Sequence, residues 1–134
     1  VRTGHELPAE LADVITRRAI DRTLLEEIIL GVERDITPRP FATRDELRDY
    51  CYRVASTVGL ICVRIWGLRA GADAARAREL SIRRGLAFQL TNILRDVRED
   101  AADGRVYLPR EDFVRAGLTP EQLCAWTPGA RCAQ

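Results

Sequence analysis

The sequence predicts an all-α protein, and three observations support this fold class. Apolar residues recur at spacings of three and four along most of the 134 residues. Three segments open with a Thr residue that could cap a helix, and Gly or Pro residues follow most of the segments. No segment alternates apolar and polar residues as a half-buried strand would. We interpret residues 1–134 as a single domain, since a chain of this length buries about two thirds of the surface that it exposes when unfolded.

The first 40 residues of the sequence predict two helices. The first begins near Pro8, which suits a first helical turn, and continues with apolar residues at helical spacing. The second has Thr23 as its candidate N-cap, and Glu26 three residues later completes a capping box. Its apolar residues are Leu24, Leu25, Ile28, Ile29 and Val32. This helix is expected to end before the turn that starts at Pro38.

Three further helices are predicted in the remainder. Thr43 and Glu46 form a capping box that opens a long helix ending near Gly67. A second long helix is expected from about residues 72–75 to Ala102, before Gly104, and residues 119–122 form a capping box for a short final helix. The inner face of the helix that begins after Thr43 is predicted to carry Leu47, Tyr50, Val54, Thr57, Val58, Ile61 and Ile65.

Composition excludes several functions. The 21 basic residues are all Arg, the acidic residues number 20, and the net charge of +1 gives no reason to expect a nucleic-acid partner. The first ten residues contain no apolar core of a signal peptide, and the longest apolar stretch, Val58–Leu68, is too short to span a bilayer. The four Cys residues lack the spacing of a metal site, so we expect reduced thiols in a cytoplasmic protein.

The most informative stretch runs from residue 89 to residue 100. On a helix, its polar side chains share a sector of roughly 100°, next to a stripe of apolar residues. Arg84, Arg95 and Arg98 project toward much of the opposite side. We call this sector the polar face; its members are Gln89, Asn92, Asp96, Glu99 and Asp100.

The polar face suggests a metal site. Asp96 and Asp100 are a like-charge pair four residues apart, which destabilises a solvated helix by about 0.2–0.5 kcal/mol unless a cation neutralises it. Oxygen ligands at residues 92, 96 and 100 suit Mg²⁺, which proteins often hold through a few carboxylates and substrate phosphates. On spacing alone, a solvated acidic helix end explains the same carboxylates, whereas Gln89 and Asn92 on the same face favour the metal site.

Two segments resemble signatures of a known family. Residues 89–100 read QLTNILRDVRED and are followed by GRVYLP at residues 104–109, while residues 50–59 read YCYRVASTVG. Both are similar to signatures of the squalene and phytoene synthases, in the order found in that family. Residues 31–35 (GVERD) and 63–67 (VRIWG) look most like the bacterial presqualene diphosphate synthases of the hopanoid pathway. Phytoene synthase is the alternative within the family.

The resemblance implies a helical-bundle isoprenoid synthase fold and a Mg²⁺-dependent, head-to-head condensation of two farnesyl diphosphates. Phytoene synthases use two geranylgeranyl diphosphates instead. These substrates have long apolar tails, which imply peripheral contact with the inner face of a membrane. No nicotinamide-binding motif is visible, so reduction of the product to squalene is not supported.

The resemblance also implies roles for individual residues. Asn92, Asp96 and Asp100 match the metal-binding side of the second acidic motif, and Glu99 is expected to orient a ligand or a water there. Tyr50 matches a tyrosine implicated in the cation chemistry. The remaining matches lie near the diphosphates or close the site: Gln89, Arg95, Arg105 and Tyr107.

The family's first acidic motif has no match upstream of Tyr50, where Asp21, Glu26, Glu27, Glu33 and Asp35 do not fit its pattern. We therefore expect residues 1–134 to be an incomplete domain with little activity alone, which leaves apolar stripes uncovered. Two alternatives remain. A non-catalytic helical partner subunit would be expected to have lost Asp96 or Asp100, and a class I terpene cyclase would carry Ser and Glu in place of these residues.

Overall fold

The computed structural model describes residues 8–125, apart from the side chain of Cys124, and within them it contains helices and no strand. The expected all-α class is confirmed. In chain order the elements are α1 (Ala9–Arg17), α2 (Arg22–Ile36), α3 (Arg44–Cys51), a π-helical turn (Tyr52–Ser56), α4 (Thr57–Trp66), α5 (Ala74–Ala102), α6 (Arg110–Ala116) and α7 (Pro120–Cys124).

Local capping sets most of the helix boundaries. The Thr43 hydroxyl accepts a hydrogen bond from the Glu46 amide at 3.2 Å, and the Glu46 carboxylate accepts one from the Ala42 amide at 2.8 Å. Thr119 and Gln122 form the predicted capping box at the start of α7. The bounds of α5 agree with the predicted ones, because Asp73 caps its first turn and Gly104 follows its end with a positive φ of 76°.

Two details of the predicted helices are wrong. Asp21, rather than Thr23, caps α2: its carboxylate accepts a hydrogen bond from the Thr23 amide at 3.0 Å, and Thr23 itself already lies inside the helix. Helix α6 was not predicted, because its seven residues are too few to show a clear apolar period. Its end signals are nevertheless present in the sequence, with Pro109 before it and Gly117 in the left-handed conformation after it.

The long predicted helix over residues 44–66 is continuous, but it contains one π-helical turn. The backbone stays in the right-handed helical region through Tyr52 and Ser56, and the Thr57 amide donates to the Tyr52 carbonyl five residues back. A π-turn inserts one residue and rotates the following face. The predicted inner face is therefore wrong at Val58, which is 42% exposed, whereas Leu60 is buried at 8%.

Helix α5 crosses the π-helical turn at very short range. A Cβ atom placed on Gly85 would lie 2.5 Å from the Ser56 Cα atom and 2.6 Å from its backbone nitrogen. The Ser56 hydroxyl, which is fully buried, donates to the Ile82 carbonyl of α5 at 2.8 Å. This contact joins the two helices that carry the resemblance to the family signatures.

The main core lies on one side of this crossing. Its buried members come from α3, from α5 and from the segment before α3: Phe41, Leu47, Tyr50, Cys51 and Ile93. Val54, Leu86, Tyr107 and Leu108 pack against them. Because Tyr50 precedes Ser56 and Ile93 follows Gly85, the two helices run in opposite directions, and the two signature segments lie at the same end of the pair.

Several large apolar side chains are not covered by the described residues. Phe88 and Leu94 on α5 are 58% and 63% exposed, and Ile29 and Val32 on α2 are 58% and 49% exposed. No helix within residues 8–125 is long and apolar enough to cross a membrane.

We expect Gly85→Ala to lower the free energy of unfolding by about 3 kcal/mol, because the new methyl group meets the backbone of Ser56, which cannot move aside without separating the helices. Urea unfolding of the product of the complete open reading frame measures this change. Gly59→Ala is the matched control. Its Cβ would meet the Ser81 hydroxyl at 2.8 Å, and this hydroxyl can rotate away, so we expect a change of less than about 1 kcal/mol. Equal effects of the two substitutions would contradict the close crossing.

Candidate active site

The polar face occupies the last turns of α5 before the chain reverses. Gln89, Asn92, Asp96 and Asp100 are partly buried there, whereas Glu99 is exposed. The four partly buried residues therefore lie along one edge of the helix, as the sequence predicted, and Glu99 lies farther toward solvent.

Arg95 reaches the polar face, which the helical projection did not predict. Its guanidinium donates to both carboxylate oxygens of Asp96, from Nε at 2.7 Å and from an Nη atom at 2.6 Å. The arginine lowers the pKa of Asp96, mainly through this hydrogen bond, and the carboxylate raises the pKa of Arg95. The projection placed Arg95 on the opposite side because it considers only the direction of Cβ and ignores the length of the side chain. An exposed ion pair of this kind is weak, so another ligand can replace it.

Asp100 lies in an excess of negative charge. Partial burial raises its pKa, and the charges of Asp96, Asp103 and Glu99 raise it further, while Arg105 opposes this effect. The amide of Arg105 donates to the Asp100 carbonyl at 2.7 Å, which turns the chain sharply after the helix. Repulsion among these carboxylates makes the end of α5 a favourable place for a cation.

A cluster of three aromatic rings lies near this helix end; we call Phe41, Tyr50 and Tyr107 the aromatic cluster. The centroids of the Tyr50 and Tyr107 rings are 5.6 Å apart, and Phe41 lies 5.4 Å from Tyr50. Tyr50 is only 4% exposed. Such separations are typical of favourable aromatic contacts.

Both tyrosine hydroxyls donate to Asp35, near the end of α2. The Tyr50 hydroxyl lies 2.9 Å and 3.0 Å from the two oxygens of Asp35, and the Tyr107 hydroxyl lies 3.1 Å from one of them. Burial raises the pKa of Tyr50 most, and its hydrogen bond to the Asp35 carboxylate raises it further. The pKa of Tyr107 is also raised, first by burial and then by the charge of Asp35. Both tyrosines therefore stay protonated at neutral pH.

The segment that carries Tyr107 is held in place by backbone hydrogen bonds. The Arg110 amide donates to the Phe41 carbonyl at 2.8 Å, and the Glu111 amide donates to the Ala42 carbonyl at 3.2 Å. An ion pair between Arg44 and Asp112, at 2.6 Å, joins the same two segments. Docking of the segment over α3 places the Tyr107 ring against Tyr50.

The polar face and the aromatic cluster lie close to each other at the end of α5. The Arg105 amide donates to the Asp100 carbonyl two residues before Tyr107, and Ile93, next to Asn92 in the chain, packs in the core that contains Tyr50. A cavity of about 190 Å³ opens beside Tyr107, and its lining includes Asp35 and four arginines: Arg34, Arg39, Arg105 and Arg110. Of the predicted site residues, Arg105 and Tyr107 line this cavity, whereas Tyr50 and the polar face do not.

Sequence reasoning missed Asp35 and Phe41 as parts of this site. Asp35 was considered as a candidate for an upstream acidic motif and as the end of the segment 31–35 that resembles the presqualene diphosphate synthases, but nothing in its local sequence indicates the tyrosines that it contacts. Within residues 8–125, no three side chains of the His, Cys, Asp and Glu types form a group that could hold a metal by themselves. The metal-binding roles of Asn92, Asp96, Glu99 and Asp100 therefore stay predictions.

Comparisons with known proteins agree with this geometry. A family model described as squalene/phytoene synthase matches residues 1–134. The chloroplastic phytoene synthase of Daucus carota is 43% identical over 119 residues, which are 86% of this chain and 29% of the relative. Phytoene synthase 1 of Arabidopsis thaliana is 40% identical over 89% of this chain and 29% of its own length. The chain thus spans less than a third of these two relatives.

A solved structure shows the same fold. The crystal structure of squalene synthase HpnC from Alicyclobacillus acidocaldarius matches with a TM-score of 0.71 and 32% sequence identity, over 83% of this chain and 41% of that protein. The helical-bundle isoprenoid synthase fold implied by the signature segments is confirmed.

We expect stability to fall as the pH rises through about 10, because the unfolded chain then releases the Tyr50 proton while the folded chain retains it. Each proton that only the folded chain retains lowers the free energy of unfolding by up to about 1.4 kcal/mol per pH unit. The chain has no Lys to titrate in this range. Urea unfolding at several pH values should show a smaller slope for Tyr50→Phe.

Cys51→Ala controls for the other buried group that titrates nearby, since burial raises the pKa of the Cys51 thiol to about 11. The tyrosine contribution should persist in this variant. An alkaline slope that Tyr50→Phe leaves unchanged would contradict the protonated, buried state of Tyr50.

Proposed function

Because the chain belongs to the squalene/phytoene synthase family, we propose that its gene product condenses two prenyl diphosphates head to head. One observation carries this proposal: the end of the polar face at Asp100 leads within a few residues to Tyr107, and the Tyr107 ring stacks on Tyr50 of the other signature segment. The polar face could hold the charged diphosphate end of a substrate, and the aromatic cluster could stabilise a cation formed beside it.

The residues of the polar face fit a role as one wall of a Mg²⁺ site. Asn92, Asp96 and Asp100 provide the oxygen donors that Mg²⁺ prefers, and the pKa of Asp100 is raised first by burial and then by neighbouring negative charge, which a cation would neutralise. Glu99 lies one helical turn from Asp96 and could orient a water there. Bound Mg²⁺ would neutralise the charge of the diphosphate and make it a better leaving group.

Several side chains would act on the substrate directly. Gln89 can donate a hydrogen bond to a diphosphate oxygen, and Arg95 can exchange its weak pairing with Asp96 for a bidentate contact with a phosphate. Arg105, which is exposed at the end of α5, can contact the same group. Tyr50 stays uncharged, so its hydroxyl and ring can stabilise a positive charge without reacting with it as a phenolate would.

We propose farnesyl diphosphate as the substrate and presqualene diphosphate as the product. The resemblance of residues 31–35 and 63–67 to bacterial presqualene diphosphate synthases supports this choice, as does the fold match to a squalene synthase. Condensation of two geranylgeranyl diphosphates is the second candidate, because relatives named phytoene synthases are up to 43% identical to this chain. Substrates of either length have apolar tails, so we also propose peripheral contact with a membrane.

Turnover of radiolabelled substrates tests the proposed reaction. We expect the product of the complete open reading frame to convert farnesyl diphosphate to a C30 product in the presence of Mg²⁺, and residues 1–134 alone to show little turnover. A C40 product from geranylgeranyl diphosphate would favour the second candidate. Absence of turnover with both substrates, together with tight binding of another protein, would instead support a non-catalytic helical subunit.

Asp100→Asn tests the proposal that the polar face forms one wall of a Mg²⁺ site. Removing this charge should lower kcat at a fixed Mg²⁺ concentration by about 100-fold and raise the Mg²⁺ concentration needed for half-maximal rate. Asp103→Asn is the matched control, because it removes an exposed carboxylate three residues away, and we expect its kcat within about threefold of wild type. If both variants lose activity equally, the effect is one of general charge rather than of a ligand at residue 100.

A further inference from the structure

Asp35 is a partly buried carboxylate whose direct hydrogen bonds come from uncharged side chains. Its two tyrosine partners lie 15 and 72 residues away in the chain, on α3 and on the segment after α5. Within residues 8–125, the ion pairs do not include Asp35, although nine other pairs are present. The neighbouring Arg34 instead places its guanidinium 4.0 Å from the centroid of the Phe41 ring.

The nearby charges surround Asp35 without pairing with it. Arg34, Arg39, Arg105 and Arg110 line the cavity that Asp35 also lines, and Glu121 lies on the same wall. A carboxylate in such a position is stabilised by the hydroxyl donors and by longer-range attraction to these arginines. The hydroxyl end of the aromatic cluster thus meets a carboxylate that no described ion pair engages.

The hydrogen bonds to Asp35 also determine the direction of the tyrosine hydroxyls. Each hydroxyl has one proton, and an ionised carboxylate can only accept, so both protons point toward Asp35. Any further partner of Tyr50 therefore meets the lone pairs of its oxygen. In this arrangement the Tyr50 proton is directed at Asp35, and the negative end of its O–H dipole points away from Asp35.

We propose that Asp35 is a positioning residue of this site, which holds the hydroxyls of Tyr50 and Tyr107 so that their oxygen lone pairs and the nearby carboxylate charge face a cationic reaction intermediate. This inference rests on the proposed condensation. It predicts that Asp35 contributes to the rate of the reaction rather than to the binding of the diphosphates, since the groups assigned to diphosphate binding lie on α5 and after it.

Asp35→Asn in the product of the complete open reading frame tests the proposal. Asn has the same shape and retains one acceptor oxygen, but it loses the charge, and its amide can donate to a tyrosine oxygen and reverse the hydroxyl direction. We expect kcat to fall by about 100-fold with KM within about threefold of wild type, because the charge acts on the intermediate and not on the bound substrate. Asp35→Glu restores the charge and should recover part of the lost kcat.

Thermal unfolding of each variant separates a positioning role from a structural one. A merely structural role would lower the melting temperature and kcat together, and Asp35→Glu would not recover the rate. Tyr107→Phe is a second variant, which removes one donor and leaves both the charge and Tyr50 in place. We expect its kcat to fall by about three- to tenfold with KM unchanged. If Asp35→Asn does not fold, the kcat of Tyr107→Phe tests the positioning role of Asp35 in its place.

The outcomes distinguish this proposal from the proposed function. If the wild-type protein turns over and Asp35→Asn has the same kcat, the role of Asp35 is overturned and the proposed function stands. If Asp35→Asn does not fold, an unchanged kcat for Tyr107→Phe overturns the role of Asp35 in the same way. A wild-type protein that condenses neither prenyl diphosphate overturns the function, and the role of Asp35 with it.

Discussion

Gly85 and Ser56 meet where α5 crosses the π-helical turn, and a single added methyl group would collide there with the backbone of the other helix. Such a short separation fixes how the two helices are aligned along each other. Sliding either helix by one residue would bring a larger side chain into the contact. The hydrogen bond from the Ser56 hydroxyl to the Ile82 carbonyl satisfies a polar group that the crossing buries. From this point the antiparallel helices bring Tyr50 and Ile93 into one core.

The site that results contains carboxylates in two different environments. Asp96 is paired with an exposed arginine, and Asp100 lies among like charges near the end of α5, where both carboxylates can reach solvent. Asp35 is bound instead by two tyrosine hydroxyls inside the fold, where solvent screens its charge less. The first environment suits a ligand that binds reversibly. The second suits a fixed charge.

Helix positions could be predicted where their causes are local. The bounds of α5 follow from a capping Asp and a terminal Gly, which act over a few residues and are visible in the sequence. The exposure of Val58 on α4 could not be predicted, because a helical projection assumes 3.6 residues per turn and the π-turn adds one residue before Val58. Helix α6 is held by the backbone of residues 41–42 rather than by an apolar period of its own.

The sequence by itself determined the all-α class, the polar face of α5 and the two signature segments, because residue spacing on a helix places side chains on a common face. Only the tertiary structure decided which carboxylate binds Tyr50. That contact joins α2, α3 and the segment after α5, and it depends on how the segment with Tyr107 docks beside Phe41. Contacts between residues 15 and 72 positions apart leave no periodic pattern in a single sequence, so only packing reveals them.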